Sequence, residues 1–274
     1  KVRIARTPLI NHWWNAPLYL TARGLTTSLI PDGPARSFTI DFDFRSHTLD
    51  IVTTDGTAAT LPLTGSGTVA EFYVQVMEAL DALGLHTEIW PMPVEIAGAV
   101  PFDQDDVHGR YEPEQAHRFW RLLVQVHRVF QEFRARFLGK ASPIHLFWGA
   151  LDLATTRFSG RPAPPHPGGV PNCGPHVMRE AYSHEVSSCG YWPDGAEEGL
   201  FYSYAYPEPP GYRDRPAGPP AARYDPELRE FVLPYTAVRT AAYPEAVLLE
   251  FLQATYEAAA ECGRWDREAL ERRA

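Results

Sequence analysis

The chain has 274 residues, 45% apolar and 22% charged, which is enough apolar material for one large domain or two small ones. That balance excludes a disordered chain and a coiled coil. A net charge of −9 and a pI near 5.6 argue against nucleic acid or an anionic membrane as partner, since both require a basic surface. No apolar run reaches the roughly 18 residues of a membrane span. Cys173, Cys189 and Cys262 have no framework spacing and no signal peptide is evident, so a cytoplasmic location is expected.

In chain order, strands are predicted around 12–23, 36–44 and 47–54. The stretch Ser37 to Phe44 alternates polar and apolar residues with period two, the mark of a half-buried strand. Asp55-Gly56 signals a turn, and a helix is predicted from Thr68 to Leu83, stopped by Gly84. A short strand near 86–90 then meets the Pro91/Pro93 turn. The strongest helical pattern runs from Pro113 to Leu138, with Phe119, Leu123, Val126, Phe130, Phe133 and Phe137 as its apolar stripe and Gly139 as its cap. Strands follow at 143–157, 181–192, 200–206 and 229–233, and a helix at 244–262. Two proline-rich stretches, 161–175 and 207–220, hold 12 of the 26 prolines and must be loops, because proline lacks the backbone donor.

The order, strands and then a helix, occurs twice, and strands joined without intervening helices favour antiparallel pairing. The expected class is therefore α+β, internally duplicated, with two such units packed about a pseudo-two-fold. Weak self-similarity supports this. His12, Leu18 and Leu20 match His145, Leu151 and Leu153 at an offset of 133. Glu71-Phe72, Glu78-Ala79 and Gly84 match Glu250-Phe251, Glu257-Ala258 and Gly263 at an offset of 179. The first repeat is placed at 1–100, with a matching N-terminal helix expected before Lys1, and the second at 101–274.

Catalytic signatures are sparse. His184-Glu185 lacks the second histidine of a helical zinc-protease motif, and Gly139-Lys140 lacks a phosphate-cradling glycine loop. Glu114/His117 and Cys173/His176 have metal-ligand spacing but no second pair. Cys189 could be a nucleophile with His184 as its base, though a buried thiol accounts for it as well. The stretch Tyr182 to Trp192 is the most informative, because His184, Val186 and Ser188 face one side of a strand while Glu185, Ser187 and Cys189 face the other. Both faces are unusually polar, and buried polar groups need partners or a wet cavity. Asp152 likewise interrupts the apolar run Leu151 to Leu153.

These residues lead to a polar pocket in the second repeat. Glu185 and His184 are its expected acid–base pair, and Asp152, Arg157, His145, Trp148 and Tyr191 its ligand-binding residues. Arg157 is expected within ion-pair reach of Asp152 or Glu185, under a roof formed by 161–175. An internal ion-pair network explains the same polarity. Small-molecule binding, with catalysis open to it, is the leading reading. A metal-dependent hydrolase using His145, His184 and Glu185, or a structural or interaction protein without a pocket, are the alternatives. No cofactor and no oligomeric state follow from the residues.

Nearly the whole chain resembles a family of uncharacterised bacterial proteins, a domain of unknown function. The resemblance is carried by NHWW at 11–14, TARGLTT at 21–27, IWPMPVEI at 89–96, HRFWRLLVQVHRVFQEFRARFLGK at 117–140, HLFWG at 145–149, TRFSGR at 156–161 and REAYSHEVSSCGYWPDG at 179–195. It implies no activity, cofactor or catalytic residue. The loop holding Cys173 departs from the family pattern, which puts any family-wide role for that thiol in doubt.

Overall fold

The computed structural model describes residues 1–194 and 198–272, so the Gly195 that ends the last of those motifs lies outside the described residues. The chain divides into two units, residues 1–124 with 169–174, and residues 125–168 with 175–274.

In the first unit, helix α1 (Val2–Arg6) and a 3-10 turn (Asn11–Trp13) precede six strands: β1 (Tyr19–Leu20), β2 (Gly24–Thr26), β3 (Ile30–Asp32), β4 (Arg36–Asp43), β5 (Thr48–Thr53) and β6 (Ala58–Pro62). They pair antiparallel in the order β1-β2-β4-β5-β6, with β3 also on β4. The period-two reading of 36–44 holds. Phe38 and Ile40 are buried opposite Thr53 and Ile51, and Thr39 and Asp41 point the other way opposite Val52 and Asp50. Helix α2 (Val69–Ala82) starts on a capping box, in which the Thr68 hydroxyl accepts from the Glu71 N–H and the Glu71 carboxylate accepts from the Thr68 N–H. The strand expected at 12–23 is confined to β1, because His12 and Trp13 both adopt left-handed backbone (φ 60°), which no strand accommodates. Residues 86–90 form no strand. There the Thr87 hydroxyl turns back to the Leu85 carbonyl just before the prolines.

Helix α3 (Pro113–Ala135) runs from the first unit into the second, where Val126, Val129, Phe130 and Phe133 are buried. It ends three residues short of the expected Leu138, because Phe137 leaves it to bridge Glu271 and the Leu138 N–H bonds Leu270 O. The second unit continues with β7 (His145–Phe147), β8 (Asp152–Pro162), α4 (Pro175–Ala181), β9 (His184–Trp192), β10 (Leu200–Tyr206), β11 (Arg223–Asp225), β12 (Glu230–Pro234), α5 (Tyr235–Arg239), α6 (Pro244–Cys262) and α7 (Arg267–Leu270). Its six strands are antiparallel in the order β11-β12-β10-β9-β8-β7. Each unit is thus mixed helix and antiparallel sheet. Helix α6 packs on β9 and β10, burying Leu248, Phe251, Leu252 and Tyr256 on the sheet face that carries Leu153, Cys189, Phe201 and Leu233.

Both sheet-packing helices end alike. At the end of α2 the Leu85 N–H reaches Leu80 O and the Gly84 N–H reaches Asp81 O; at the end of α6 the Trp265 N–H reaches Ala260 O and the Arg264 N–H reaches Glu261 O. These six-to-one closures place one residue in the left-handed region, Gly84 (φ 71°) and Arg264 (φ 52°). The carbonyls left over are taken by an arginine from the sheet. Arg36, held by Asp32 at 2.6 Å, donates to Leu83 O and Gly84 O. Arg161, held by Glu185 at 2.6 Å, donates to Gly263 O and Arg264 O. A cation suits the negative end of a helix.

Glycine has no Cβ penalty at the position Arg264 occupies, and that penalty is about 1–2 kcal/mol. Replacing Arg264→Gly should therefore stabilise the protein by up to about 1 kcal/mol once the added freedom of the unfolded chain is subtracted. Urea or thermal unfolding reads the gain, and a loss of stability would contradict the capping role. Arg161→Ala should cost about 1–2 kcal/mol in the same assay, and Glu185→Gln less than 1 kcal/mol, since the exposed pair only orients the cap.

A tyrosine and carboxylate face as candidate functional site

The register of the second sheet sorts the predicted site residues onto two faces. Leu153 pairs with Tyr191, Thr155 with Cys189 and Arg157 with Ser187, and all six side chains lie on the face packed by α6. Asp152, Ala154, Thr156 and Phe158 lie on the opposite face with Trp192, Gly190, Ser188 and Val186. His145 joins that second face opposite Ala154.

Arg157 is 2% exposed and makes no ion pair with Asp152 or Glu185 among the described residues. Its guanidinium lies 3.5 Å from the Phe133 ring centroid and 4.2 Å from that of Tyr256, and it donates to Phe133 O near the end of α3. Burial lowers its affinity for the proton to a pKa of about 10. It is a packed cation of the core, and the partner expected for it, Glu185, belongs to Arg161. Cys189 is also interior. Its thiol points at Thr155 O, and burial pushes it up to about 12, which is unsuited to nucleophilic attack; His184 lies on the other face. Tyr191 is 2% exposed, packs on Phe201 and Tyr235, and donates to Glu198 O, so it is a core residue and not a ligand contact. Trp148 sits in the turn between β7 and β8, and His145 is buried, its ring centroid 4.7 Å from that of Phe147 in an edge-on contact.

The ligand set His145, His184 and Glu185 does not assemble. Ala154, the partner of His145, pairs with Gly190, six residues along β9 from His184, which is about 20 Å at strand rise. Glu185 projects from the opposite face. Among the described residues no group of three metal-binding side chains forms.

What the second face does assemble is a tyrosine array. Tyr202 and Tyr204 project from β10 with their rings nearly parallel, 6.1 Å apart at 18°. Tyr202 lies over Gly190, where an added Cβ would come 2.4 Å from its hydroxyl oxygen. The missing side chain lets the phenol cross β9 and donate to Asp152 on β8 at 2.5 Å. Tyr204 pairs its hydroxyl with that of Tyr182 at 2.8 Å, and Ser188 with that of Thr156 at 2.8 Å. Tyr182 and Tyr206 carry the His166 ring, at 4.7 and 5.1 Å, and Pro164 O accepts from Tyr206, so Pro164 and His166 of the first proline-rich stretch lie on this face. Burial holds the Tyr202 and Tyr204 phenols well above their ordinary range, so both remain neutral donors.

Glu230 completes the array and was not singled out from the sequence. It starts β12, with Phe231 beside Ser203 on β10 and Asp225 opposite on β11, which places it next to Tyr204 on the tyrosine face. Burial, reinforced by the Asp152 and Asp225 charges, raises its carboxyl from 4.5 to about 7. Asp225 has a cation of its own, Arg223 at 3.6 Å, whereas Glu230 makes no ion pair among the described residues. In the sequence a glutamate at the start of a strand looks like an ordinary turn residue; only the pairing of β12 with β10 and β11 brings it to the array.

The fold and this face define a mixed helix and antiparallel-sheet protein with two sheets and a neutral-tyrosine and carboxylate surface on the second. The chain belongs to the family of unknown function DUF5996, which matches residues 1–272. No curated protein and no solved structure matches it. Among the described residues no helix is long and apolar enough to cross a membrane.

The Glu230 proton has a measurable consequence. The folded protein holds it up to about pH 7, and the unfolded chain releases it near 4.5. Between those values only the unfolded state ionises, so stability is lost as pH rises through that window and is level above it. Glu230→Gln removes this dependence. The variant should be more stable than the parent at pH 8, by up to about 3 kcal/mol, with the gap closing near pH 4. Unfolding midpoints across pH 4–8 decide it, and a gap that does not change with pH would count against a shifted Glu230.

Proposed function

We propose that the second unit binds a small polar molecule on the tyrosine–carboxylate face, with a donor group of the ligand directed at Glu230 and Asp152 and its flat or apolar part against the tyrosine rings. The observation that supports this is Glu230, a half-buried carboxyl that ionises near neutrality beside aromatic rings and a second carboxylate. A core built for stability alone gains nothing from such a group, and perturbed carboxyls of this kind collect at functional sites. Where chemistry follows binding, Glu230 is the residue able to take and return a proton near pH 7. The acid–base role expected of His184 and Glu185 passes to it, because Glu185 is engaged with Arg161 on the other face.

Native mass spectrometry of the full chain, equilibrated with a metabolite extract, tests this reading. The parent should retain a small-molecule adduct, and Glu230→Gln or Tyr202→Phe should weaken it at least about tenfold while circular dichroism stays unchanged. A parent that retains nothing, or variants that retain the adduct equally, would overturn it.

We also infer that the two units descend from one duplicated ancestor. The matched helix closures at Gly84 and Arg264, and the arginine caps on Leu83 and Gly84 and on Gly263 and Arg264, support this; they equate Gly84 with Arg264, one position on from the Gly84–Gly263 match in sequence. A cytoplasmic location is in keeping with three cysteines that form no disulfide.

A further inference from the structure

Sheet edges expose unpaired backbone groups, and proteins blunt them by keeping edge strands very short, by charging them or by covering them. The short-strand device is visible at three of the four path ends of the two sheets: β1 has two residues, and β7 and β11 have three each. β6 differs. It has five residues, Ala58-Ala59-Thr60-Leu61-Pro62, with no charged side chain, and Ala58, Thr60 and Pro62 are exposed.

Its hydrogen-bond phase is fixed by its neighbour. The Thr53 N–H bonds Thr57 O and the Leu63 N–H bonds His47 O, so the odd-numbered residues of β6 face β5. Ala58, Thr60 and Pro62 then turn their backbone groups outward, where none of them meets a partner among the described residues.

We propose that β6 is a homodimer interface, pairing antiparallel with β6 of a second copy about a two-fold axis at Thr60. In that register Thr60 faces Thr60 and the two exchange both backbone hydrogen bonds. At each end the Ala58 N–H donates to Pro62 O of the other copy. Proline lacks a donor, so Pro62 is tolerated in this edge only where its carbonyl is the group required, which this register satisfies. A one-residue slip places inward-facing groups against the partner and forms no ladder, and a two-residue shift leaves one of the three outward-facing residues of each copy without its counterpart.

At the centre of the seam charge does not oppose the pairing. The carboxylate beside Thr60 is Asp50, which accepts from its hydroxyl at 2.9 Å. It would face its counterpart across three strand spacings, about 14 Å, well beyond the ~8 Å screening length of physiological salt. The same register carries the Asp55-Gly56 turn of one copy toward Gly65 to Gly67 of the other. There an open depression of about 550 Å³, lined by Gly65, Ser66, Glu71 and Gln75, leaves room for it, and the approach of Asp55 to Glu71 weakens the dimer at low salt. The strand pairing alone buries little area, so the dimer is a weak, concentration-dependent one.

Sedimentation of the full chain between about 1 and 200 μM should show the 30.7 kDa monomer giving way to a species of twice that mass. Thr60→Pro removes the central donors at an edge position whose N–H has no bond within the chain, and Thr60→Lys adds a charge there; both should remain folded and monomeric. Thr60→Cys provides a readout of register. Cα atoms of a hydrogen-bonded antiparallel pair lie about 5.5 Å apart, within disulfide reach. Mild oxidation should therefore give a covalent dimer that the parent, with its native cysteines, does not form. A parent that stays monomeric at 200 μM, a dimer indifferent to Thr60→Pro and Thr60→Lys, or no Thr60→Cys cross-link would each overturn the assignment.

Discussion

Each unit depends on fastening the carbonyl end of one helix to its sheet. The last carbonyls of a helix have no partner within it, and the helix dipole concentrates negative charge there. Arg36 and Arg161 meet that need in the two units from opposite ends of their strands, Arg36 opening β4 and Arg161 near the end of β8. Asp32 and Glu185 hold each guanidinium in line. An exposed ion pair by itself contributes little, but one that orients a cap also satisfies carbonyls that would otherwise be left to water. Once α6 is fixed in this way, the face it packs becomes the core of the second unit, and Arg157, Cys189 and Tyr191 are drawn into that core.

The opposite face is built on another rule. A single glycine, Gly190, lets Tyr202 lie across β9 and reach Asp152, and Tyr204 follows in parallel. Hydroxyls that would be costly inside a sheet are bonded to one another, in the pairs Tyr182–Tyr204 and Thr156–Ser188. The carboxyl of Glu230 is the exception, sharing its surroundings with like charges and shifting its proton affinity in response. The polar strand at 184–192 therefore carries two separate roles on its two faces, an anchor for a helix cap and the floor of the tyrosine array.

Local pattern was enough for much of the outline. The alternation over 37–44, the helix bounds at Thr68 and Gly84, the proline punctuation and the long apolar stripe after Pro113 each involve neighbours in sequence, and each leads to the element observed. Polar groups within 145–192 were legible as unusual for the same reason, since alternation along a strand is a local property. The sequence also separated His184 from Glu185 by face, because strand period alone decides that.

Which groups meet across the sheet was beyond local reading. Arg161 and not Arg157 receives Glu185, because a bulge between Phe158 and Pro162 shifts the register at the end of β8, and the end of α6 lies beside it. Glu230 becomes part of the array only through β12, which arrives after the second proline-rich loop and pairs with β10 ahead of β11. The expected strand at 12–23 gave way to left-handed backbone at His12 and Trp13, and α3 stopped early for a pairing with residues 270–272. The sequence by itself determined periodicity, caps and breaks, since these depend on residues within a few positions of one another. Register, face and partner were decided only by tertiary structure, since they depend on hydrogen bonds between segments tens to more than a hundred residues apart.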